Sequence, residues 1–140
     1  MTPDPLHYPL LWPLLWPMLA HVGLTAALYA LLTLCRAPAV WGVGRRADGT
    51  NPWAALESRV SANLSNQFEW PLFYYVACLL AIVQSLASDS VLLSFAWLFV
   101  GGRIAHSAVQ IFTANVRLRG LVFTVNFLAV VGMFGRLLVR

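Results

Sequence analysis

Between Val91 and Thr113 the chain is apolar for long enough to cross a bilayer, yet an arginine stands near its middle. Arg103 lies among Leu98, Phe99, Val100 and Ile104, and insertion scales charge a mid-membrane arginine about 2.5–3.5 kcal/mol. On a helix, Arg103, His106, Gln110 and Arg117 fall at i, i+3, i+7 and i+14, so they share one face. A polar stripe of that length inside an apolar segment reads as a functional site whose partner sits on another helix.

The rest of the composition agrees with a membrane chain. Apolar types make up 60% of the 140 residues and charged ones 10%, with a mean hydropathy of +0.74. That is one domain, outside the range of soluble globular proteins. Six Trp and eight Phe suit interfacial anchoring. All nine basic residues are Arg, divided among connections with no basic run or aromatic platform, which argues against nucleic acid as a partner. Cys35 and Cys78 have neither metal-ligand nor CxxC spacing and read as small hydrophobes, and no metal site is expected. The N-terminus lacks a basic n-region and a small-residue cleavage site, so the first apolar run reads as a retained helix.

In order, the chain predicts an all-α integral membrane protein, a bundle of four transmembrane helices at about 10–34, 56–86, 91–113 and 118–138. Met1 to Pro9 is Pro-rich and carries Asp4. Trp12 and Trp16 suit an interfacial belt, and Pro13 and Pro17 are tolerable in the first turns. Arg36 to Leu56, punctuated by Pro38, Gly42, Gly44, Gly49 and Pro52, reads as the longest polar connection. Pro71 is expected to kink the second helix or open a carbonyl. Ser85 to Ser90 reads as a tight turn, and Gly101-Gly102 as a place where another helix comes close. Arg36, Arg45, Arg46, Arg59, Arg117 and Arg119 cluster on one side, against Arg136 and Arg140 on the other. That places both termini outside and the Arg-rich connections in the cytosol.

Arg59, Asn63, Asn66 and Glu69 form a second stripe, within roughly a third of a helix circumference. Glu69 and Arg103 each come out about 15 Å from the cytosolic end of their helices, and so read as each other's counter-charge. Asn66 with His106, then Arg59 with Gln110, extend the seam toward Arg117 and Arg119. The seam is either a structural pair fixing helix register or a water-accessible pocket, and the gradient of polar residues favours the pocket. Ser107 and Thr113 read as helix-packing groups, and Trp70, Trp97 and Phe73 as packing or lipid-facing.

These residues resemble the membrane-associated proteins in eicosanoid and glutathione metabolism (MAPEG). Arg59-Val60, Asn66, Glu69 and Pro71-Leu72-Phe73 are similar to that family's Arg…Asn-x-x-Glu…Pro-Leu-Phe pattern. Arg103-x-x-His106, then Asn115 and Arg119, resemble its Arg-x-x-His…Arg. The similarity covers Arg59 to about Thr124, and the four-helix layout extends it over nearly the whole chain. The resemblance implies a homotrimer with glutathione as cofactor, bound between subunits in the cytosolic half. Asn66 and Glu69 would then hold its polar groups, Arg59, Arg103, His106 and Gln110 would line the pocket, and Arg119 would stabilise the thiolate. That thiolate would attack a small lipophilic substrate arriving from membrane lipid. The chain departs from the family's transferases at Gln110, where they usually carry Tyr, and at Ala62, Leu64 and Ser65, where they add Arg or His. Bacterial relatives look similarly thinned, which implies a bacterial inner membrane.

Three functions follow from these residues. The first is a glutathione-dependent transferase or peroxidase. The second is a non-catalytic relative that binds a small anionic or lipid ligand or serves as an accessory subunit. The third is a proton or ion carrier running through Glu69, His106 and Arg103, which liposome flux unaffected by Glu69→Gln would exclude.

Overall fold

A computed structural model describes residues 12–139, the side chain of Trp12 excepted. The Pro-rich opening, the Trp12 anchor and Arg140 lie outside the described residues. Those described form five helices: α1 Trp12–Trp41, α2 Ala54–Ser65, α3 Pro71–Val83, α4 Ser90–Phe112 and α5 Val116–Leu138. Three of them, α1, α4 and α5, are long and apolar enough to cross a membrane, and α3 is a shorter apolar helix. At the centre stands α4, which packs against each of the other four.

Helix α1 runs past the expected stop near Leu34, taking Pro38 into its last turn. Its end is set instead by Gly42, whose φ of 71° is the left-handed conformation that closes helices. Arg45 then reaches back, donating from Nε to Pro38 O at 3.0 Å and from Nη2 to Ala39 O at 3.1 Å. These are carbonyls that a helix end leaves open. Arg36 anchors the same end to α2, with Nε 3.0 Å from Glu57 Oε1.

The second expected helix, 56–86, is broken rather than kinked. α2 stops at Ser65 and α3 restarts at Pro71, because proline has no N–H to give Gln67 O in a continuous helix. Between them the chain tightens into i→i+3 bonds, Gln67 N to Leu64 O at 3.0 Å and Phe68 N to Ser65 O at 3.1 Å. Pro71 becomes the first residue of α3, where a missing N–H is harmless. The tight turn after α3 follows the expectation. Ser85 is left-handed at φ 60°, and Leu86 N returns to Ala81 O at 2.8 Å.

Two apolar clusters hold the bundle. One gathers Tyr74, Ala77, Cys78, Leu92, Ala96, Phe99, Ala129 and Met133, with Tyr74 stacked on Phe99 at 4.2 Å between ring centroids. The other gathers Leu28, Leu32, Val60, Leu64 and Ile111 toward the Arg-rich end. On α1 and α4 the buried polar residues fall between the two.

At the far end, Asp89 caps α4 by accepting from Val91 N at 3.1 Å and Leu92 N at 3.0 Å. It also lies 2.7 Å from Arg136 Nη2 of α5. The Leu92 amide first, and the Arg136 guanidinium next, hold its carboxyl below the usual carboxylate range. A depressed carboxylate stabilises the fold above its unfolded pKa, and that contribution is lost as pH falls through the lower folded value. Asp89→Ala is therefore expected to lose about 1 kcal/mol at neutral pH. The gap from wild type should close as pH drops below about 4, measured by denaturant unfolding in detergent micelles across a pH series.

Candidate functional site

The polar layer is organised around Gln67, which the α2–α3 break turns inward. Its Oε1 accepts from Arg103 Nε at 3.1 Å and from His21 Nε2 at 3.1 Å. Its Nε2 donates to Asn63 Oδ1 at 3.1 Å and to Ser107 Oγ at 3.2 Å. The break also leaves Asn66 O outside the helical ladder, and Arg103 Nη2 donates to it at 2.8 Å. Arg103, 1% exposed, thus keeps its charge and is solvated by neutral oxygens.

The expected Glu69–Arg103 counter-charge does not form. Glu69 is exposed, and the ion pairs among the described residues are Arg36–Glu57 and Arg136–Asp89. Its charge acts on Arg103 only from beyond salt-bridge reach. The cause is the break itself: α2 ends before the stripe reaches Glu69, and the tighter turn carries Gln67 to the place reserved for it. A buried ion pair requires stripping water from two charges. An amide accepts from the guanidinium and still donates twice.

Gln110 is the second hub. Its Oε1 receives Asn63 Nδ2 at 3.1 Å, Asn66 Nδ2 at 3.1 Å and His106 Nε2 at 3.0 Å. Three donors from α2, its end and α4 converge on one oxygen. Beyond this hub, Asn66 and His106 join Val116, Arg119, Gly120 and Phe123 around a cavity of about 350 Å³ between the α2–α3 break, α4 and α5. Arg119 is exposed at its mouth and makes no side-chain hydrogen bond or ion pair among the described residues. Asn115 caps α5 just ahead of it, accepting from Leu118 N at 3.0 Å. Arg59 is spent differently, donating from Nη1 to Ile111 O at 3.2 Å and tying α2 to the last turn of α4.

Asn66, His106 and Arg119 therefore share one cavity, with Gln110 behind it. Arg103 sits deeper in the same network, Arg59 at its edge and Glu69 outside it. Ser107 belongs to the network rather than to packing alone. Gln67, His21 and Tyr75 complete the network from outside both sequence stripes. Their signals were available: His21 is the one imidazole in the first span, and Gln67 adjoins the proline-driven break. Tyr75 O–H completes the chain at 2.8 Å from His21 Nδ1.

No metal-binding cluster of three or more His, Cys, Asp or Glu occurs among the described residues. No curated protein and no solved structure matches the chain significantly. The sequence profile of the MAPEG family does match it, over residues 14–139. With three membrane-length helices and nearly its whole length covered by that profile, the chain belongs to the MAPEG family.

Proposed function

We propose that the protein is a membrane-embedded, glutathione-dependent transferase or peroxidase acting on small lipophilic electrophiles. The observation that carries this reading is the cavity where Arg119, uncommitted to any partner among the described residues, faces Asn66 and His106. A guanidinium beside a thiol favours the thiolate, and α5 and α4 present apolar flanks through which an electrophile arrives from lipid. In this reading α2 and α3 together make a fourth span, three copies assemble, and the Arg-rich connections face the cytosol. Arg136, which runs against that orientation, is already paired with Asp89.

A second reading, a ligand-binding relative without turnover, is favoured by Gln110. Where the family's transferases usually offer a tyrosine, this chain has an amide oxygen occupied by Asn63, Asn66 and His106. The two separate in one experiment, which follows ultraviolet thiolate absorbance and turnover of an aryl halide or lipid hydroperoxide by detergent-purified protein with glutathione. The enzyme reading expects both signals, each falling about tenfold in Arg119→Ala. The effect is modest because an exposed guanidinium is screened by water. Binding of glutathione with neither signal would leave the second reading.

A further inference from the structure

We propose that the groove between the last turns of α1 and the connection to α2 holds one anionic phospholipid, with an acyl chain against its apolar walls and the phosphate at Arg45. The groove has a volume of about 380 Å³ and is walled by Leu31, Leu34 and Pro38 of α1, with Val43, Trp53 and Leu56 completing it. The connection supplies a wall because two left-handed glycines, Gly42 at φ 71° and Gly44 at φ 76°, bracket Val43 and turn the chain back. Asn51 fastens that wall to α1, donating from Nδ2 to Cys35 O at 3.0 Å. The Arg36–Glu57 pair fastens it a second time. Leu34, Val43 and Trp53 nonetheless stay 68%, 67% and 52% exposed. Apolar side chains left open in a fixed wall are the complement of an apolar ligand.

Depth and charge select the ligand. The apolar stretch of α1, Pro13–Trp41, counts 29 residues, about 43 Å of helix against about 30 Å of hydrocarbon. Counted from the Trp16 anchor, about 20 residues of span end near Arg36. The groove therefore straddles the level at which a phospholipid changes from chain to phosphate. Arg45 stands at that level. Its bonds to Pro38 O and Ala39 O hold the guanidinium on the rim, since Pro38 is itself a wall of the groove. They use two of its five N–H groups, and the residue is exposed. Arg46 follows in the same turn, exposed and without a side-chain hydrogen bond or ion pair among the described residues. The acids nearby are engaged elsewhere, Glu57 by Arg36 and Asn51 and Asp48 by Thr50. A cationic rim over an apolar slot matches both halves of an anionic phospholipid. Phosphate alone lacks the chain, and phosphatidylcholine carries its own cation. A second copy inserted the same way round would bring its own arginines to this level, like charge against like.

Native mass spectrometry of the detergent-purified full chain reads retained lipid and oligomer size together. Dioleoylphosphatidylglycerol is compared with dioleoylphosphatidylcholine, which has the same acyl chains. The first is expected to be retained about tenfold more strongly, one molecule per chain, and excess glycerol phosphate should not displace it. Two glutamine variants remove the charge singly: Arg45→Gln, whose amide still donates to the α1 carbonyls, and Arg46→Gln, whose side chain holds nothing in the fold. Each should lower phosphatidylglycerol retention about fivefold and leave phosphatidylcholine unchanged. Ala37→Phe, which fills the groove from its α1 wall, should lower both. Equal retention of the two lipids, or a preference that survives both glutamine variants, would overturn the proposal. Displacement by glycerol phosphate would reduce the site to a phosphate patch and overturn it as well. A changed oligomer in Ala37→Phe with lipid retention intact would assign the groove to a neighbouring copy instead.

Discussion

Gln67→Leu is expected to lower the unfolding free energy by about 4 kcal/mol, the largest loss from any single substitution in the polar layer. Leucine nearly matches the volume and offers no hydrogen bond, so the effect isolates the polar contacts. Four are lost at once: to Arg103, His21, Asn63 and Ser107. Interhelical hydrogen bonds within membranes average only about 0.6 kcal/mol each, which gives about 2.4 kcal/mol for four. The remainder comes from Arg103, which is 1% exposed and would keep only its bond to Asn66 O. A buried charge short of an acceptor costs more than a neutral group does. Gln67→Glu still accepts from Arg103 and His21 but cannot donate to Asn63 or Ser107, so about half the loss is expected. Equilibrium unfolding in mixed detergent micelles ranks the three proteins. Equal losses for Leu and Glu would mean that the guanidinium does not depend on this residue.

The contrast between Gln67 and Glu69 also marks how far the sequence could be read. Long apolar runs are strong signals, and α4 and α5 begin and end within two residues of the expected 91–113 and 118–138. The stripe on α4 was equally legible: Arg103, His106 and Gln110 are all buried, with Arg103 and Gln110 bonded to α2 or its end and His106 bonded to Gln110. Helix ends were harder. The polar look of Arg36 and Pro38 suggested a stop, yet α1 needed a left-handed residue to end, and Gly42 is the first. The partner of Arg103 was harder still, because helical periodicity assigned the facing residue and Pro71 interrupts that periodicity. Two residues of displacement exchanged a carboxylate for an amide. Charge complementarity pointed to Glu69, whereas desolvation favours the neutral group in a lipid-embedded core.

That exchange divides the site into two parts. Arg103, Gln67, Asn63 and Gln110 satisfy one another and fix the orientation of His106. Arg119 stands across the cavity on a different helix and is held only by its backbone, through Arg119 N to Asn115 O at 3.1 Å. Substitutions in the first group are expected to act on stability. Substitution of Arg119, exposed and outside the core, is expected to leave folding unchanged.

Gly102→Ala is expected to lower the unfolding free energy by about 2 kcal/mol, while the same change one residue earlier raises it. The two glycines are adjacent on α4 but face different surroundings. A Cβ on Gly101 would meet nothing within 4 Å, whereas one on Gly102 would overlap Asn126 Oδ1 of α5 and lie 3.0 Å from its Cγ. The expected close helix approach therefore belongs to Gly102 alone. Asn126 is 0% exposed, so its short side chain has no free volume to retreat into. Overpacking of that kind costs about 3 kcal/mol, at the upper end of its usual range. Replacing a helical glycine by alanine returns about 1 kcal/mol, leaving a net loss at Gly102 and a gain of up to about 1 kcal/mol at Gly101. Gly132 gives a milder case, since its Cβ would meet Phe95 Cζ at 2.6 Å, and Phe95 is only partly buried and can tilt. The Asn126 amide has no hydrogen-bond partner among the described residues, so Asn126→Ala sacrifices no bond and is expected to be nearly neutral. In its background Gly102→Ala should become stabilising. This double-mutant cycle, read by unfolding in micelles, therefore carries a coupling of about 3 kcal/mol. A coupling near zero would mean that α4 and α5 do not meet at this pair.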